Sequence, residues 1–245
     1  MRERPILFNT EMVKAILDGR KTCTRRVCKD VNAYMVPDME FYNADKRTYA
    51  VHNYADREHT EPLSLVERKC PICPGDILYV RETWQKAGMV DDFDHVIDGT
   101  EKYYYAAGPE APCFDFWVDP ETGEHKDRMP WKPSIHMPKE AARIWLKVTD
   151  VRVERLQEIT EDQTEEEGFL FTPPCLHLTC ENYCDIDGPC TSKVKYCDMG
   201  AGELFGKVLW NSPIKKTDLD RYGWDANPWV WVIEFEQCEK PGKEK

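Results

Sequence analysis

The alternation of apolar and polar residues along the chain predicts a protein built mainly from short strands. The segment from Ile144 to Val153 is the clearest strand, because its aliphatic positions alternate with Lys, Asp and Arg. A second strand, Ile77 to Trp84, follows a Pro-Gly-Asp turn, and a third, Trp229 to Glu236, places four large apolar residues on one face. Weaker strand patterns cover 4–9 and 101–107. We expect these strands to form the core.

Helical spacing is confined to short segments. Residues Thr10 to Asp18 predict a helix with an N-cap at Thr10 and a closing glycine at Gly19. Thr160 to Gln163 has the form of a capping box, and the helix that it begins ends at Glu167, where the helix dipole disfavours a negative charge. Two further short helical segments are predicted over 139–143 and 203–210.

A basic segment, Gly19 to Arg26, follows the first helix and reads G-R-K-T-C-T-R-R. Its pattern becomes that of a strand that carries two threonines and Arg26 on one face. Lys21 lies at the corner between helix and strand, and a turn or bulge there would bring it next to Thr24. The segment is therefore either a solvated strand edge or one wall of a site.

Three stretches lack the period of a helix or strand. Residues 30 to 69 predict an irregular insertion with one hairpin, 109 to 130 a surface excursion rich in Pro, Gly and acids, and 170 to 200 a cysteine-rich insertion. With 245 residues and 41% hydrophobic content, the chain can bury one good core. We therefore predict a single domain over 1–245 that carries these insertions.

The charge distribution limits the class of partner. A formal net charge of -12 makes extended duplex DNA an unsuitable ligand, because neutralising phosphates requires an excess of Lys and Arg. Between Lys14 and Lys29, however, six basic residues stand against one acid. A small basic site in an acidic protein suits a nucleoside or a short single-stranded RNA.

The hydropathy of the chain predicts a cytosolic protein that does not enter a membrane. It contains no run of about 18 apolar residues. The N-terminal sequence M-R-E-R-P also lacks the apolar stretch of a signal peptide.

Cysteine usage raises the question of a metal. The insertion at 170–200 holds Cys175, Cys180, Cys184, Cys190 and Cys197. Disulfides are not expected in the cytosol, and so short a loop cannot build its own core. Either a structural Zn²⁺ orders the loop or the thiols are reduced and loosely packed, since the spacing does not match a paired C-x2-C ribbon. Cys70 and Cys73 form one C-x2-C pair, which either donates two ligands or is incidental.

Several polar side chains occur at the end of the second strand and near its possible neighbours. Arg81 and Glu82 could hydrogen-bond a base while Trp84 stacks on it, or the Arg-Glu pair could simply cap a sheet edge. His136 lies between two prolines, at 133 and 138, that restrict the backbone. It is either a structural histidine or part of a site.

Five segments, in order along the chain, resemble the ASCH domain, a branch of the PUA-like β-barrels, and most closely its phage- and prophage-borne form. They are R-P-I-L-F-N-T-E-M-V-K-A-I-L-D-G-R-K-T-C-T-R-R at 4–26, P-G-D-I-L-Y-V-R-E-T-W at 74–84, P-S-I-H-M-P at 133–138, the strand and corner at 143–168, and N-P-W-V-W-V-I-E-F-E at 227–236. The resemblance implies an α+β fold with a PUA-like mixed or antiparallel β-barrel, flanking helices and loop insertions. It also implies a cleft in which the basic strand faces the helix that ends in Glu.

The resemblance also implies a function. ASCH proteins are associated with RNA-related roles, and the small bacterial acetylcytidine amidohydrolases, which are similar in the basic motif, use a Lys, a Thr and a Glu. In this chain those residues fall on Lys21, Thr24 and Glu167, which would remove an acyl group from a modified pyrimidine nucleoside without a cofactor. Lys21 could be the base for a Thr24 nucleophile, or a charged Lys21 could stabilise the oxyanion while Glu167 activates water.

Two hypotheses without catalysis remain beside this one. The same cleft could hold a nucleotide or short RNA noncatalytically, through Arg26, Arg81, Trp84 and His136. Alternatively, the chain could be a phage accessory protein whose insertions bind a partner. In each case we expect the protein in the cytoplasm of a bacterial or phage-infected cell.

Overall fold

The computed structural model of the protein describes residues 1–29, 31, 34–55, 58, 61–89, 91, 97–108, 117–118, 124–126, 130–169 and 200–242. The fold of this part of the chain is mixed α+β, as predicted. Its strands are β1 (Glu3–Leu7), β2 (Cys23–Val27), β3 (Met35–Asn43), β4 (Thr48–Tyr54), β5 (Pro62–Lys69), β6 (Ile77–Arg81), β7 (Trp84–Ala87), β8 (Lys102–Tyr105), β9 (Trp117–Val118), β10 (His125–Lys126), β11 (Trp145–Arg155) and β12 (Trp229–Cys238). Its α-helices are α1 (Thr10–Leu17), α2 (Glu161–Glu166), α3 (Ala201–Leu204) and α4 (Leu219–Tyr222). The 3-10 turns are Ser134–His136, Lys139–Ala141, Leu156–Glu158, Lys216–Asp218 and Trp224–Ala226, and a π-helix spans Phe205–Trp210.

The chain divides into two compact units, each assembled from distant segments. The first unit contains Met1–Gly19, Gly75–Val148 and Phe235–Lys245, and the second contains Arg20–Pro74 and Thr149–Glu234. Strands β11 and β12 therefore each begin in one unit and end in the other. The single domain over 1–245 stays a prediction.

Strand β6 is central to the first unit. It pairs parallel with β1, Glu3 opposite Ile77, and antiparallel with the start of β11, Tyr79 opposite Trp145. The predicted strand 77–84 is in fact two strands, since β6 ends at Arg81 and β7 turns away to pair with β8. The apolar side chains buried together here are Ile77, Trp84, Met137, Ala141, Ala142 and Trp145.

Helix α1 forms as predicted, with one correction at its N-terminus. Asn9, not Thr10, is the N-cap, and its side chain accepts a hydrogen bond from the backbone N–H of Met12 at 2.8 Å. At the other end Gly19 adopts a φ of 74°, a left-handed conformation that glycine reaches without steric cost. The glycine thus ends the helix and redirects the chain toward the basic segment.

The second unit contains the pair β2 and β12 and a separate three-stranded sheet. Strand β12 runs antiparallel to β2, with Ile233 opposite Thr24. Strands β3, β4 and β5 form an antiparallel sheet, so the stretch for which one hairpin was predicted contains three paired strands. Tyr49, in β4, is buried and contacts the ring of Trp231 edge-on at 4.8 Å. Burial of this aromatic side chain thus stabilises a sheet whose strands are hard to recognise in the sequence, because charged residues interrupt the alternation of apolar and polar positions.

The described strands form open sheets and not the barrel that the resemblance implies. The barrel therefore stays a prediction. Every helix in the described segments falls short of the length and hydrophobicity that a bilayer crossing demands.

The helix predicted over 203–210 is an α-helical turn, α3, followed by the π-helix, and Gly206 lies at the join. A Cβ at this position would overlap the indole ring of Trp224, which packs directly on the glycine. We expect Gly206→Ala to lower the free energy of unfolding by about 1–3 kcal/mol, because the ring must move out of a packed cluster. Urea unfolding followed by circular dichroism measures this. Gly242→Ala, where a Cβ meets open space, is the control, and equal midpoints for the two variants would contradict the expectation.

Candidate functional site

A buried lysine–carboxylate pair lies where the basic segment meets the end of α2. Lys21 Nζ is 2.6 Å from Glu167 Oε2, and it also donates to the backbone carbonyl of Glu167 at 2.8 Å. The exposed fractions of the two side chains are 0% and 3%. Burying an ion pair costs solvation free energy, which is offset only when both charged groups have good hydrogen-bond partners. Lys21 has two such acceptors on Glu167.

The backbone holds this pair in place from both sides. Lys21 and Glu167 form an isolated antiparallel bridge, and the N–H of Thr22 donates to the carbonyl of Glu166 at 2.8 Å. Helix α2 begins with the predicted capping box, Thr160 with Gln163, and Glu167 is its C-cap. The capping box fixes the start of α2 and the bridge to Lys21 fixes its end, so the position of the Glu167 carboxylate is set by the backbone.

Arg25 is the residue of this site that the sequence interpretation missed. Its Nη1 is 3.4 Å from Glu167 Oε1, and its Nη2 donates to Gln163 at 2.8 Å and lies 3.5 Å from Glu154 Oε2. Strand alternation from Lys21 through Cys23 to Arg25 puts these three side chains on one face. That alternation was the sequence signal by which Arg25 could have been placed beside Lys21. In the structure these two cations share the carboxylate of Glu167.

Thr24 lies on the opposite face of β2 and is not hydrogen-bonded to Lys21 or Glu167. Its side chain is fully buried, and in the described part of the chain its hydroxyl has no hydrogen-bond partner. A buried hydroxyl without a partner costs about 1–3 kcal/mol. The structure thus brings together Lys21 and Glu167 of the predicted trio, whereas the Thr24 hydroxyl is buried on the other face of β2 without a hydrogen-bond partner among the described residues.

The neighbouring titratable groups have pKa values shifted by burial. Burial, followed by the negative charge of Glu167, raises the pKa of the Cys23 thiol to about 12, so this thiol stays protonated and is a poor nucleophile. Burial lowers the pKa of the half-buried Arg26 guanidinium, and the charge of Glu167 acts in the opposite direction. Arg26 Nη1 donates to the backbone carbonyl of Arg25 at 3.2 Å.

The other predicted binding residues lie in the first unit, beside the segment 131–138. Arg81 Nη1 donates to the carbonyl of Ile135 at 3.2 Å, and His136 is exposed at the end of a 3-10 turn. Trp84 is only 7% exposed, and its ring packs against Tyr103 and lies 5.5 Å from the ammonium of Lys132. With so little of its surface exposed, the indole packs within the protein and does not offer a face on which a base could stack.

Glu82 is paired with Arg143, not with its neighbour Arg81. The carboxylate accepts two hydrogen bonds from that guanidinium, at 2.9 Å from Nε and 3.0 Å from Nη2. Glu82 is 1% exposed, and Arg143 lies over the ring of Tyr105 at 4.2 Å. This bidentate pair has the geometry of a structural link.

The predicted zinc ligands Cys175, Cys180, Cys184, Cys190 and Cys197 lie outside the described residues. Within the described segments, no three His, Cys, Asp or Glu side chains are grouped as a metal site would require. Cys70 and Cys73 are buried, and the Cys70 thiol donates to the carbonyl of Ile72 at 2.7 Å. Burial raises the pKa of Cys70, which disfavours the thiolate that a metal would need. The zinc site stays a prediction.

No family model, curated protein or solved structure matches this chain. The assignment of a function therefore rests on the residues of the site and their geometry.

Proposed function

We propose that this protein is an ASCH-type protein of the PUA-like class that acts on nucleosides or short RNA, and that it hydrolyses the acyl amide of a modified pyrimidine nucleoside. The observation that carries the proposal is the contact of 2.6 Å between Lys21 Nζ and Glu167 Oε2 in a site closed to water. A cation and a carboxylate in contact are the two groups that amide hydrolysis needs, one for the oxyanion and one for the proton.

The geometry favours direct activation of water by Glu167. The carboxylate takes a proton from water, whose oxygen attacks the amide carbonyl carbon, and Lys21 with Arg25 stabilises the resulting oxyanion. When the C–N bond breaks, Glu167 returns the proton to the departing amine. The products are a carboxylic acid and the free amine of the nucleoside, and no cofactor takes part.

Thr24 lies on the face of β2 opposite Lys21, so its proposed contact is with a part of the substrate away from the amide, after the buried site has opened. Its hydroxyl makes no hydrogen bond with Lys21 or Glu167, which favours this role over that of a nucleophile activated by Lys21. A substrate that donates to or accepts from this hydroxyl would satisfy a polar atom that is otherwise unpaired. Lys21, Thr24 and Glu167 are all buried, so turnover includes a step that opens the site.

The reaction is tested with acetylcytidine, by chromatographic measurement of cytidine release. We expect the wild-type protein to release cytidine and Glu167→Gln to lose at least about 100-fold of that rate, because the amide cannot accept a proton from water. Glu166→Gln is the matched control, since it makes the same change at an exposed position next to Glu167, and it should keep the wild-type rate. Circular dichroism spectra verify that each variant is folded.

If neither acetylcytidine nor other acylated nucleosides are hydrolysed, the proposal of a hydrolase activity is wrong. Measurable binding of a short RNA under those conditions would instead favour the noncatalytic module. Binding of neither would leave the insertions, as in a phage accessory protein, as the functional part.

A further inference from the structure

The second unit contains a cavity of about 370 Å³ that the proposed hydrolysis does not use. It lies where β2, β11 and β12 approach α4, and Val27, Arg155 and Trp229 are among its lining residues. Its volume falls in the range of small-molecule pockets, roughly 300–1,000 Å³. Neither Lys21 nor Glu167 is among its lining residues, so the cavity is distinct from the Lys21–Glu167 pair.

One wall of the cavity is a guanidinium stacked on an indole. The guanidinium carbon of Arg155 lies 4.2 Å from the centroid of the Trp229 ring, and Arg155 Nη1 donates to the carbonyl of Asn227 at 3.1 Å. The indole N–H of Trp229 donates to the carbonyl of Met35 at 2.9 Å. Both flat groups are therefore fixed before any ligand arrives, which reduces the entropy lost on binding.

The loop at the rim of the cavity is held in an unusual conformation. Asn227 has a φ of 45°, a left-handed backbone that costs a non-glycine residue about 1–3 kcal/mol. Its side chain accepts a hydrogen bond from the N–H of Gln157 at 2.9 Å, while its carbonyl binds Arg155. These contacts fix the turn that presents Arg155 to the cavity.

The charge of the lining is opposite to that of the whole chain. The lining contains two cationic side chains, Arg155 and Arg221, and one carboxylate, Asp220, whereas the formal net charge of the protein is -12. Burial lowers the pKa of Arg155, with Glu158 acting in the opposite direction, so an anion in the cavity would favour its charged form. Arg221 lies over the ring of Tyr222 at 4.9 Å and is exposed, within reach of an entering ligand.

We propose that this cavity binds a planar ring that carries an anionic group, the class of compound to which nucleoside monophosphates belong. The ring packs among the flat side chains of Arg155, Trp229 and Tyr222, and the anion meets the two guanidinium groups. Asp220 accepts a hydrogen bond from a hydroxyl or amino group of the ligand. This inference does not depend on the proposed hydrolysis, since it concerns a different site and different residues.

The test is calorimetric titration of the full chain with adenosine monophosphate, adenosine and inorganic phosphate, which separate ring from anion. We expect saturable binding of the monophosphate at least about 10-fold tighter than that of either part alone. Arg221→Gln should weaken it by about 10-fold or more, because it removes a charge-assisted contact at an exposed position where folding is not at risk. Lys216→Gln, an exposed lysine outside the lining, makes the same change of charge and should leave binding unchanged.

Three results would overturn the proposal. The first is absence of saturable binding of the monophosphate, and the second is adenosine binding as tightly, which would remove the role of the anion. The third is an equal effect of Arg221→Gln and Lys216→Gln. It would mean that the ligand binds at another site or that its affinity depends only on the net charge of the protein.

Discussion

Glu167→Leu should lower the free energy of unfolding by about 3–5 kcal/mol, the range found when one partner of a buried ion pair is removed. The loss is large because the ammonium of Lys21, with no exposed surface, and the guanidinium of Arg25 would both lose their shared carboxylate. Arg25 would keep Gln163 and Glu154, whereas Lys21 would keep a backbone carbonyl. Urea unfolding followed by intrinsic tryptophan fluorescence measures the change.

A double variant and a neighbouring glutamate test the cause of this loss. Lys21→Met combined with Glu167→Leu removes both charges, so it should recover much of the stability that either single change loses. Glu166→Leu makes the same change of charge at an exposed position one residue away, and we expect an effect within about 0.5 kcal/mol. If Glu166→Leu and Glu167→Leu were equally destabilising, the buried pair could not be the cause.

Thr24→Val should abolish hydrolysis of acetylcytidine while keeping or raising stability. Valine has nearly the shape of threonine, and the hydroxyl that it removes is buried without a partner, so we expect a gain of up to about 1 kcal/mol in the free energy of unfolding. The same change removes the proposed contact to the substrate and should reduce the rate by about 100-fold or more. Thermal unfolding and cytidine release, measured on one preparation, give both quantities.

The opposite signs of these two effects distinguish a functional hydroxyl from a structural one. Thr22→Val, at an exposed position of the same segment, should change neither quantity appreciably. A Thr24→Val protein that is destabilised by several kcal/mol would show that the hydroxyl is satisfied in solution. Full activity in a stable Thr24→Val protein would remove Thr24 from the site.

The elements that local sequence rules govern were predicted closely. The capping box of Thr160 and Gln163 is present, and α2 ends at the predicted glutamate, because both depend on contacts within a few residues. Strand β11 extends to Arg155, close to its predicted bounds, since its alternation is strong. Over β3, β4 and β5 only one hairpin was predicted, because charged residues obscure the strand period in this stretch and the burial of Tyr49 against Trp231 is not visible in the sequence.

The binding residues show a similar division. Glu82 and Trp84 were proposed from the sequence as binding residues at the end of a predicted strand, and in the structure both are buried, Glu82 just after β6 and Trp84 at the start of β7. Their partners, however, are Arg143 and Lys132, which come from segments that no local pattern connects to that strand. The cavity beside Trp229 was not predicted. One of its walls is formed by the guanidinium of Arg155 in β11 stacked on the indole of Trp229 in β12, and these two residues are far apart in the sequence.

Three features of the site could be predicted from the sequence: the lysine that follows a helix-ending glycine, the alternation of side chains along β2, and the glutamate at the end of a capped helix. Each of these follows from backbone geometry over a few residues. The contact of Lys21 with Glu167, 146 positions away, the sharing of that carboxylate by Arg25, and the burial of the Thr24 hydroxyl without a partner were visible only in the folded chain. Such contacts depend on which surfaces become buried together, and burial is a property of the folded chain.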